Sequence, residues 1–315
     1  MKKTTDQKIT EMKQQTFGVE IEMNHITRKD AAKAAATYFG AGATYRYTGG
    51  GYDTWSAYDL QGREWKFMRD VSIHGPESEK CEMVTPILKY EDMGTLQELC
   101  RVMRRHGAQS DASRGCGIHI HIGVTGHTAQ TLRNLTNIMA SHENLLIQAL
   151  GIDRARTIQY CRTVDPRYLR DVNAKKPKTM AELAQVWYTS QNATACQSHH
   201  YNNSRYHMLN LHSVFTKGTV EFRLFEFPKP TNGRRCGIHA GAVKAYVQLC
   251  LALSQMAKDA KSASYKPQQH ENPKYAMRTW LLRLGFIGDE FATARDILTR
   301  NLPGDAAFRY GRQSA

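Results

Sequence analysis

Three short segments of the chain place carboxylate, imidazole or guanidinium side chains two residues apart, with apolar residues between them. These pairs are Glu20 and Glu22, His119 and His121, and Glu221 and Arg223. A β-strand sends alternate side chains to opposite faces, so the members of each pair would share one face and the apolar residues the other. Carboxylates and imidazoles bind metal ions and guanidinium groups bind phosphate, so the pairs predict a ligand-binding face on a sheet.

The same alternation is typical of an antiparallel sheet with one solvated face, so the side-chain types must decide between the two interpretations. A solvated face usually carries Thr, Ser, Lys and Gln. Glu20 and Glu22 are the strongest signal, because two carboxylates cannot both be buried and unpaired without repulsion and a desolvation cost. A divalent cation would remove that conflict. Oxygen ligands favour magnesium or manganese, whereas imidazoles shift the preference toward manganese or zinc.

Two further carboxylates, Asp70 and Glu82, lie on neighbouring predicted strands. The tract between them contains Gly75-Pro76 and is expected to form a bent loop. It also contains Glu77 and Glu79, so the sequence leaves open which carboxylate of this region would be the ligand. A surface hairpin is the alternative interpretation for either residue alone.

The histidine pair and the Glu221–Arg223 pair each have a second interpretation. His119 and His121 resemble a zinc ligand pair, so a zinc-dependent hydrolase is one alternative function, although no third ligand lies nearby in the sequence. A hydrogen-bonded structural role would also suit His121. Glu221 and Arg223 could form a surface ion pair, which would contribute little to stability and would tolerate substitution.

Apolar periodicity predicts the elements that must position these groups. Strands are expected around the histidine pair and at 16–24, 44–47, 52–58, 63–72, 82–88, 205–215 and 219–227, the last two as a hairpin. Helices are expected at 29–39, 90–106, 128–150, 179–188, 235–256, 274–284 and 290–299, and the rest of 151–203 as a lid or substrate loop. This mixture predicts an α+β single domain, with a flexible N-terminus over 1–15, a catalytic sheet with helices over 16–230 and a helical part over 231–315.

Composition and charge restrict the class of protein. The chain has 315 residues, 41% of them hydrophobic, which is enough for a substantial core. It contains no apolar run of about 18 residues and its N-terminus is polar, so we expect a soluble, cytoplasmic protein without a membrane span.

The net charge of +14 predicts an anionic partner such as a nucleotide, an acidic polymer or a nucleic acid. A basic nucleic-acid-binding protein is therefore a further alternative, and the basic run at 154–178 is solvated surface by default.

The seven cysteines are scattered and odd in number, which argues against a disulfide framework and against a four-thiolate zinc site. We expect them to be reduced. Cys116, in a Gly-Cys-Gly turn before the histidine strand, could act as a nucleophile, but lone cysteines are usually small buried hydrophobes.

The order of these motifs resembles that of the amidoligase family, whose relatives include glutamate-cysteine ligase and glutamine synthetase. The resemblance covers about residues 16–227. Its motifs are Phe17-Gly18-Val19-Glu20-Ile21-Glu22, then Asp70 and Glu82, then Gly117-Ile118-His119-Ile120-His121-Ile122-Gly123, then Arg205 to Asn210, and finally Thr219-Val220-Glu221-Phe222-Arg223.

The resemblance implies a curved antiparallel β-sheet, a funnel like that of glutamine synthetase, with helices packed on its outer face. It also implies that the sheet binds ATP with two or three Mg²⁺ or Mn²⁺ ions and activates a carboxylate as an acyl phosphate. An amine would then displace phosphate and form an amide. The substrates would be a small-molecule or peptide carboxylate and an amine.

Carried over position by position, the resemblance also assigns roles to residues of this chain. The metal ligands would be Glu20, Glu22, Asp70, Glu82, His119 and Glu221. Arg223 would face the transferred phosphoryl group, with Glu82 and Arg205 also in the catalytic set. The nucleotide contacts would be Lys66, Arg205, Asn210 and Arg223. Residues 49–51 are glycines without the Lys-Ser/Thr that completes a phosphate-binding Walker loop, so nucleotide binding would depend on the metals and the basic groups.

Overall fold

The computed structural model describes residues 3–195, 197–199, 201–228 and 237–310. The chain divides into two compact units, each built from segments distant in sequence. The sheet unit consists of Thr16–His121 and Phe225–Lys244, and the helical unit consists of Met1–Gln15, Ile122–Leu224 and Ala245–Ala315. The fold class is α+β, as predicted.

The sheet unit contains the strands that carry the first two polar pairs. The strands are β1 (Phe17–Met23), β2 (Thr44–Gly49), β3 (Thr54–Tyr58), β4 (Glu64–Met68), β5 (Cys81–Val84) and β6 (Ile118–Gly123), which begins in this unit. Their order across the sheet is β2-β3-β4-β5-β1-β6. The pairs β1–β5, β2–β3, β3–β4 and β4–β5 are antiparallel. Every predicted strand of this region exists, although most are shorter than expected.

The core of the sheet unit lies on the apolar face of these strands. On β1, Phe17, Val19 and Ile21 are buried, as the alternation predicts. The Ala-rich helix α2 (Arg28–Phe39) packs on β2, β3 and β4, and α3 (Met93–Arg105) packs on α2. Small alanine side chains allow the helix to approach the sheet closely, which leaves the opposite face of the sheet for the polar residues.

The helical unit contains the third polar pair, Glu221 and Arg223. Its helices are α1 (Thr5–Lys13), α4 (Ala129–Leu150), α5 (Arg154–Gln159), α6 (Pro166–Lys175), α7 (Met180–Ser190), α8 (His212–Thr216), α9 (Ala240–Asp259, which begins in the sheet unit), α10 (Pro273–Arg283) and α11 (Ala292–Thr299). Two short strands, β7 (Leu209–Asn210) and β8 (Thr219–Phe225), pair antiparallel. The long helix α4 packs against α6, α7 and α11.

The segment 151–203 contains two helices, α5 and α6, in addition to the one predicted at 179–188. Helices α5, α6 and α7 occupy much of it, and each is capped by an oxygen of the preceding side chain. Asp153 accepts from the Ala155 N–H at 2.8 Å, Asp165 from the Arg167 N–H at 2.8 Å, and Thr179 from the Glu182 N–H at 3.2 Å. Only the third helix was predicted from sequence, because α5 and α6 are short and rich in charged residues, which weakens the apolar period.

The predicted hairpin over 205–215 and 219–227 is only partly formed. Its first strand is reduced to β7, because the Asn210 side chain accepts a hydrogen bond from the His212 N–H at 2.8 Å and the chain turns into α8. The Ser213 hydroxyl then lies within hydrogen-bonding distance of the carbonyl oxygens of Asn210 and Thr219, at 3.1 and 2.6 Å. These side-chain bonds take the place of strand pairing over the remainder of the segment.

The structure contains a helix in the N-terminal segment and another in the segment after position 236. The segment expected to be a flexible N-terminus carries α1, which begins at a capping box between Thr4 and Gln7. The helix predicted over 235–256 is observed as α9, and positions 235 and 236 lie outside the described residues. Membrane-spanning candidates are absent from the described ranges, since every helix there is too short or too polar to cross a bilayer.

Glu143 of α4 is a buried carboxyl group in the helical unit. Its side chain is 7% exposed, and its Oε1 accepts a hydrogen bond from the Val164 N–H at 2.6 Å. Burial raises the pKa of Glu143 from 4.5 to about 7, and the hydrogen bond offsets only part of that rise. A carboxyl group whose pKa is raised in the folded state contributes fully to stability below pH 4.5 and loses that contribution as the pH rises through 7.

We therefore expect Glu143→Gln to stabilise the protein at pH 8 and to have little effect at pH 5. The amide stays neutral and its oxygen can still accept from Val164, so the gain at pH 8 should be roughly 2–4 kcal/mol. Denaturant unfolding at both pH values measures it, with the exposed Glu271→Gln as the control. An equal change in stability at the two pH values would contradict the assignment.

Candidate active site

The register of β1 and β5 brings the predicted carboxylates of the sheet unit together. Glu22 and Glu82 are Cα partners, and Glu20 is the partner of Val84, so all three side chains share one face. This face is not solvated: Glu22 is 4% exposed and Glu82 is 8% exposed. Burial of two carboxylates on adjacent strands excludes the solvated-face interpretation for this part of the sheet.

The two histidines of β6 contact the same carboxylate. Both imidazoles are buried. The His119 Nδ1 lies 3.1 Å from Glu20 Oε2, and the His121 Nε2 lies 3.2 Å from Glu20 Oε1. The His119 Nε2 also lies 3.8 Å from Glu22 Oε1. The zinc alternative needs both imidazoles on one ion, whereas here they face different oxygens of Glu20.

Two overlapping groups of side chains in the sheet unit have the composition of metal sites. One group is Glu20, Glu82 and His119, and the other is Glu22, Asp70 and Glu82; in each, one potential ligand atom per residue lies within 4.8 Å of the others. Buried carboxylates at this separation repel one another, and a divalent cation would offset that repulsion. Because four of the five residues in the two groups are carboxylates, the donor set fits Mg²⁺ or Mn²⁺ better than zinc.

The acidic tract before β5 does not compete for this site. Glu77 forms ion pairs with Lys80 and, at 3.9 Å, with Arg69. Glu79 lines a separate cavity of about 400 Å³ together with His25 and other residues. Of Glu77, Glu79 and Glu82, only Glu82 belongs to a candidate metal group among the described residues.

Lys66 lies on β4, on the same face of the sheet as Glu20. Both residues are Cα partners of Val84, from opposite sides of β5. The Lys66 side chain is 46% exposed, and its Nζ lies 3.6 Å from a carboxylate oxygen of Glu64. It is thus an accessible cation at the edge of the acidic groups, which suits the predicted contact with an anionic ligand.

In the helical unit, Glu221 and Arg223 form a buried ion pair rather than a surface pair. Glu221 is 2% exposed and Arg223 is 5% exposed, and an Nη1–Oε1 hydrogen bond joins them. Asn210, the Cα partner of Glu221 on β7, donates from its amide to Glu221 Oε2 at 2.6 Å. Asn210 therefore orients the carboxylate directly, a role that its predicted assignment as a nucleotide contact did not include.

Aromatic rings hold the guanidinium groups of this unit. Arg205 is buried, and its guanidinium carbon lies 5.5 Å from the ring centre of Tyr201 and 5.9 Å from that of Tyr206. The guanidinium carbon of Arg223 also lies 5.9 Å from the Tyr206 ring centre. Tyr206 thus fixes two of the predicted site residues by cation–π contact.

Arg156 is a residue that the sequence analysis missed. It is 6% exposed, and its Nη2 donates to the carbonyl of Arg223 at 3.2 Å. In the sequence it belongs to the basic run at 154–178, whose default interpretation is solvated surface. Only its position on the inner side of α5 distinguishes it from its exposed neighbours, and that position follows from packing.

Cys116 does not have the environment of a nucleophile. Its thiol is buried, and burial together with the nearby Glu22 carboxylate raises the pKa of the thiol well above its usual value. Cys81, Cys100, Cys161 and Cys250 are likewise buried thiols. Cys196 and Cys236 lie outside the described residues.

No curated protein matches the chain. The chain is similar to a bifunctional glutathione synthetase from Pasteurella multocida, with 13% sequence identity and a TM-score of 0.40, over 94% of this chain and 48% of that chain. It thus spans about half the length of that protein, and a likeness at this level supports no inference about fold or activity.

A family model gives the decisive match. The family described as "Putative amidoligase enzyme" matches residues 13–254, which is well over half of the chain. The matched region contains all the motifs in the order that the sequence analysis used, from the carboxylate pair on β1 to the Glu221–Arg223 pair on β8. The chain therefore belongs to the amidoligase family.

Proposed function

We propose that the protein is an ATP-dependent carboxylate-amine ligase that forms an amide through an acyl phosphate. Family membership supports a ligase in general terms. The observation that carries the finer proposal is the partly buried, oxygen-rich pair of groups in the sheet unit that share Glu82. Such a set suits two divalent cations, and nucleotide phosphates are the usual partners of Mg²⁺ and Mn²⁺ in proteins. The curved, glutamine-synthetase-like funnel is part of the same proposal.

In this proposal Glu20, Glu22, Asp70, Glu82 and His119 of the sheet unit hold cations. Glu221 of the helical unit is proposed separately as a cation ligand. When bound, the cations would neutralise triphosphate oxygens that otherwise repel an incoming carboxylate.

The remaining residues bind and orient. Arg223 would stabilise the charge on the transferred phosphoryl group, because its guanidinium stays charged and the pair with Glu221 holds it in place. Arg205 and Lys66 would contact the nucleotide or the acid substrate. Asn210 keeps Glu221 in position, and Glu20 orients both imidazoles of β6.

Isotope transfer provides the test. Candidate acids labelled with ¹⁸O in the carboxylate are incubated with the protein, ATP, Mg²⁺ and an amine. We expect ADP release that requires both substrates and stops with EDTA, together with one ¹⁸O atom in the released phosphate, because an acyl phosphate passes a carboxylate oxygen to phosphate. ADP release without ¹⁸O transfer would exclude the acyl phosphate. Amine-independent hydrolysis by a protein that retains zinc would favour the hydrolase alternative instead.

A further inference from the structure

The chain segment before β6 forms a closed turn around one buried side chain. We call this segment, Asp111–Gly117, the Asp111 turn. Asp111 is 0% exposed. Its side chain accepts hydrogen bonds from the Ser113 N–H at 2.8 Å, from the Ser113 hydroxyl and from the Arg114 Nε at 3.1 Å, and its carbonyl accepts from the Cys116 N–H at 3.2 Å. The turn is therefore rigid because one carboxylate closes it from within.

The Asp111 turn ends on a contact with a proposed metal ligand. The Gly117 N–H donates to Glu22 Oε2 at 2.6 Å, and the Glu22 N–H donates to the Gly117 carbonyl at 3.1 Å. A backbone N–H bonded to a carboxylate fixes one of its oxygens. The other oxygen, Oε1, is the one that lies 3.8 Å from His119.

The same turn holds the loop that carries a second proposed ligand. Asp70 accepts from the Ser72 N–H at 2.7 Å, so the loop after β4 is folded around that carboxylate. Two residues later, the His74 N–H donates to the Arg114 carbonyl of the Asp111 turn at 2.8 Å. The Asn24 amide donates to the His74 carbonyl at 2.9 Å and so joins this loop to the end of β1.

Gly115 sets how closely the turn and the loop approach. Its φ is +69°, and a Cβ added there would lie 2.3 Å from the Ser72 carbonyl oxygen and 3.0 Å from the His74 ring. The first neighbour is backbone and cannot move away without shifting the loop. A side chain at this position would thus push apart the two segments that carry the Glu22 contact and Asp70.

We propose that Asp111 and Gly115 are positioning residues that set the distance between Glu22 and Asp70, and through it the affinity of the Glu22–Asp70–Glu82 group for a divalent cation. This inference rests on the metal assignment of the proposed function. Neither residue touches the ion. They act through the Gly117 N–H and the loop after β4, as outer-shell groups commonly do at metal sites.

The test measures Mn²⁺ binding to the full chain without nucleotide. Binding is monitored as the loss of the free-ion signal in electron paramagnetic resonance. Gly115→Ala is expected to weaken binding by roughly tenfold or more, the usual effect of disturbing an outer-shell group. Gly62→Ala is the matched control: Gly62 lies in the same unit with φ +74°, but nothing lies within 4 Å of its added Cβ. It should show the same backbone strain and bind Mn²⁺ as the wild type does.

A second variant covers the case in which Gly115→Ala does not fold, as judged by circular dichroism. Asp111→Asn keeps an acceptor for Ser113 and loses the ion pair with Arg114, and it should weaken Mn²⁺ binding in the same direction. Folded variants that bind Mn²⁺ like the wild type would overturn the inference and leave the proposed function standing. A wild-type chain that binds no Mn²⁺ would overturn the metal assignment itself, and this inference with it.

Discussion

Replacing Glu82 with Gln is expected to lower amide formation roughly 100-fold or more, the effect of losing about 3 kcal/mol of transition-state stabilisation. The reason is that Glu82 belongs to both candidate metal groups, so one substitution weakens two sites. The amide is nearly isosteric with the carboxylate, and it removes a buried negative charge from a cluster that repels itself. The folded state should therefore be retained or stabilised while activity is lost.

Two measurements separate these effects. The rate of ADP release gives the loss of activity, and a titration with Mn²⁺ gives the number of bound ions, which should fall. Glu79→Gln is the matched control, because it makes the same chemical change in the acidic tract and leaves both groups intact. A Glu82→Gln protein with wild-type activity and wild-type Mn²⁺ binding would remove Glu82 from the site.

Replacing Arg223 with Ala is expected to abolish activity and also to lower the free energy of unfolding by about 3–5 kcal/mol. The second effect follows from the burial of its partner, since the carboxyl group of Glu221, at 2% exposure, would lose the guanidinium that pairs with it. A loss of activity in this variant alone would therefore be ambiguous between function and folding.

Arg223→Lys resolves that ambiguity. Lysine retains the positive charge for Glu221, so the loss of stability should be much smaller, but it lacks the planar paired donors that match a phosphoryl group. We expect denaturant unfolding close to wild type together with a rate that remains roughly 100-fold lower. If Arg223→Lys were as active as the wild type, the role of Arg223 would be limited to the ion pair.

The membership in the amidoligase family was predictable from the order of short motifs, and the family match over residues 13–254 confirms it. Within 151–203 the helix at 179–188 was predicted and α5 and α6 were not, because these two helices are short and their caps lie among many other polar residues. Asn210 shows a related limit. Its side chain bonds to the backbone of His212 and ends a strand that β-propensity alone would have continued.

Some buried polar residues were identified from the sequence and others were not. The carboxylate pair on β1 was identified from sequence, whereas Arg156 and Asp111 were not, although both are buried. Arginine and aspartate are common on surfaces, and a single residue of either type carries no periodic signal. Their roles became visible only through the bonds they make, Arg156 to the Arg223 carbonyl and Asp111 to its own turn.

The sequence by itself determined which side chains share a face, because alternation along a strand is a local property of the extended backbone. That property was enough to assemble the pairs on β1, β6 and β8 from residues two positions apart. The tertiary structure decided that Glu22 and Glu82 are buried, and that Glu82 rather than Glu77 or Glu79 lies opposite Glu22. It also decided that the Gly117 N–H donates a hydrogen bond to Glu22. These outcomes depend on the pairing of strands distant in the chain, for which local periodicity contains no information.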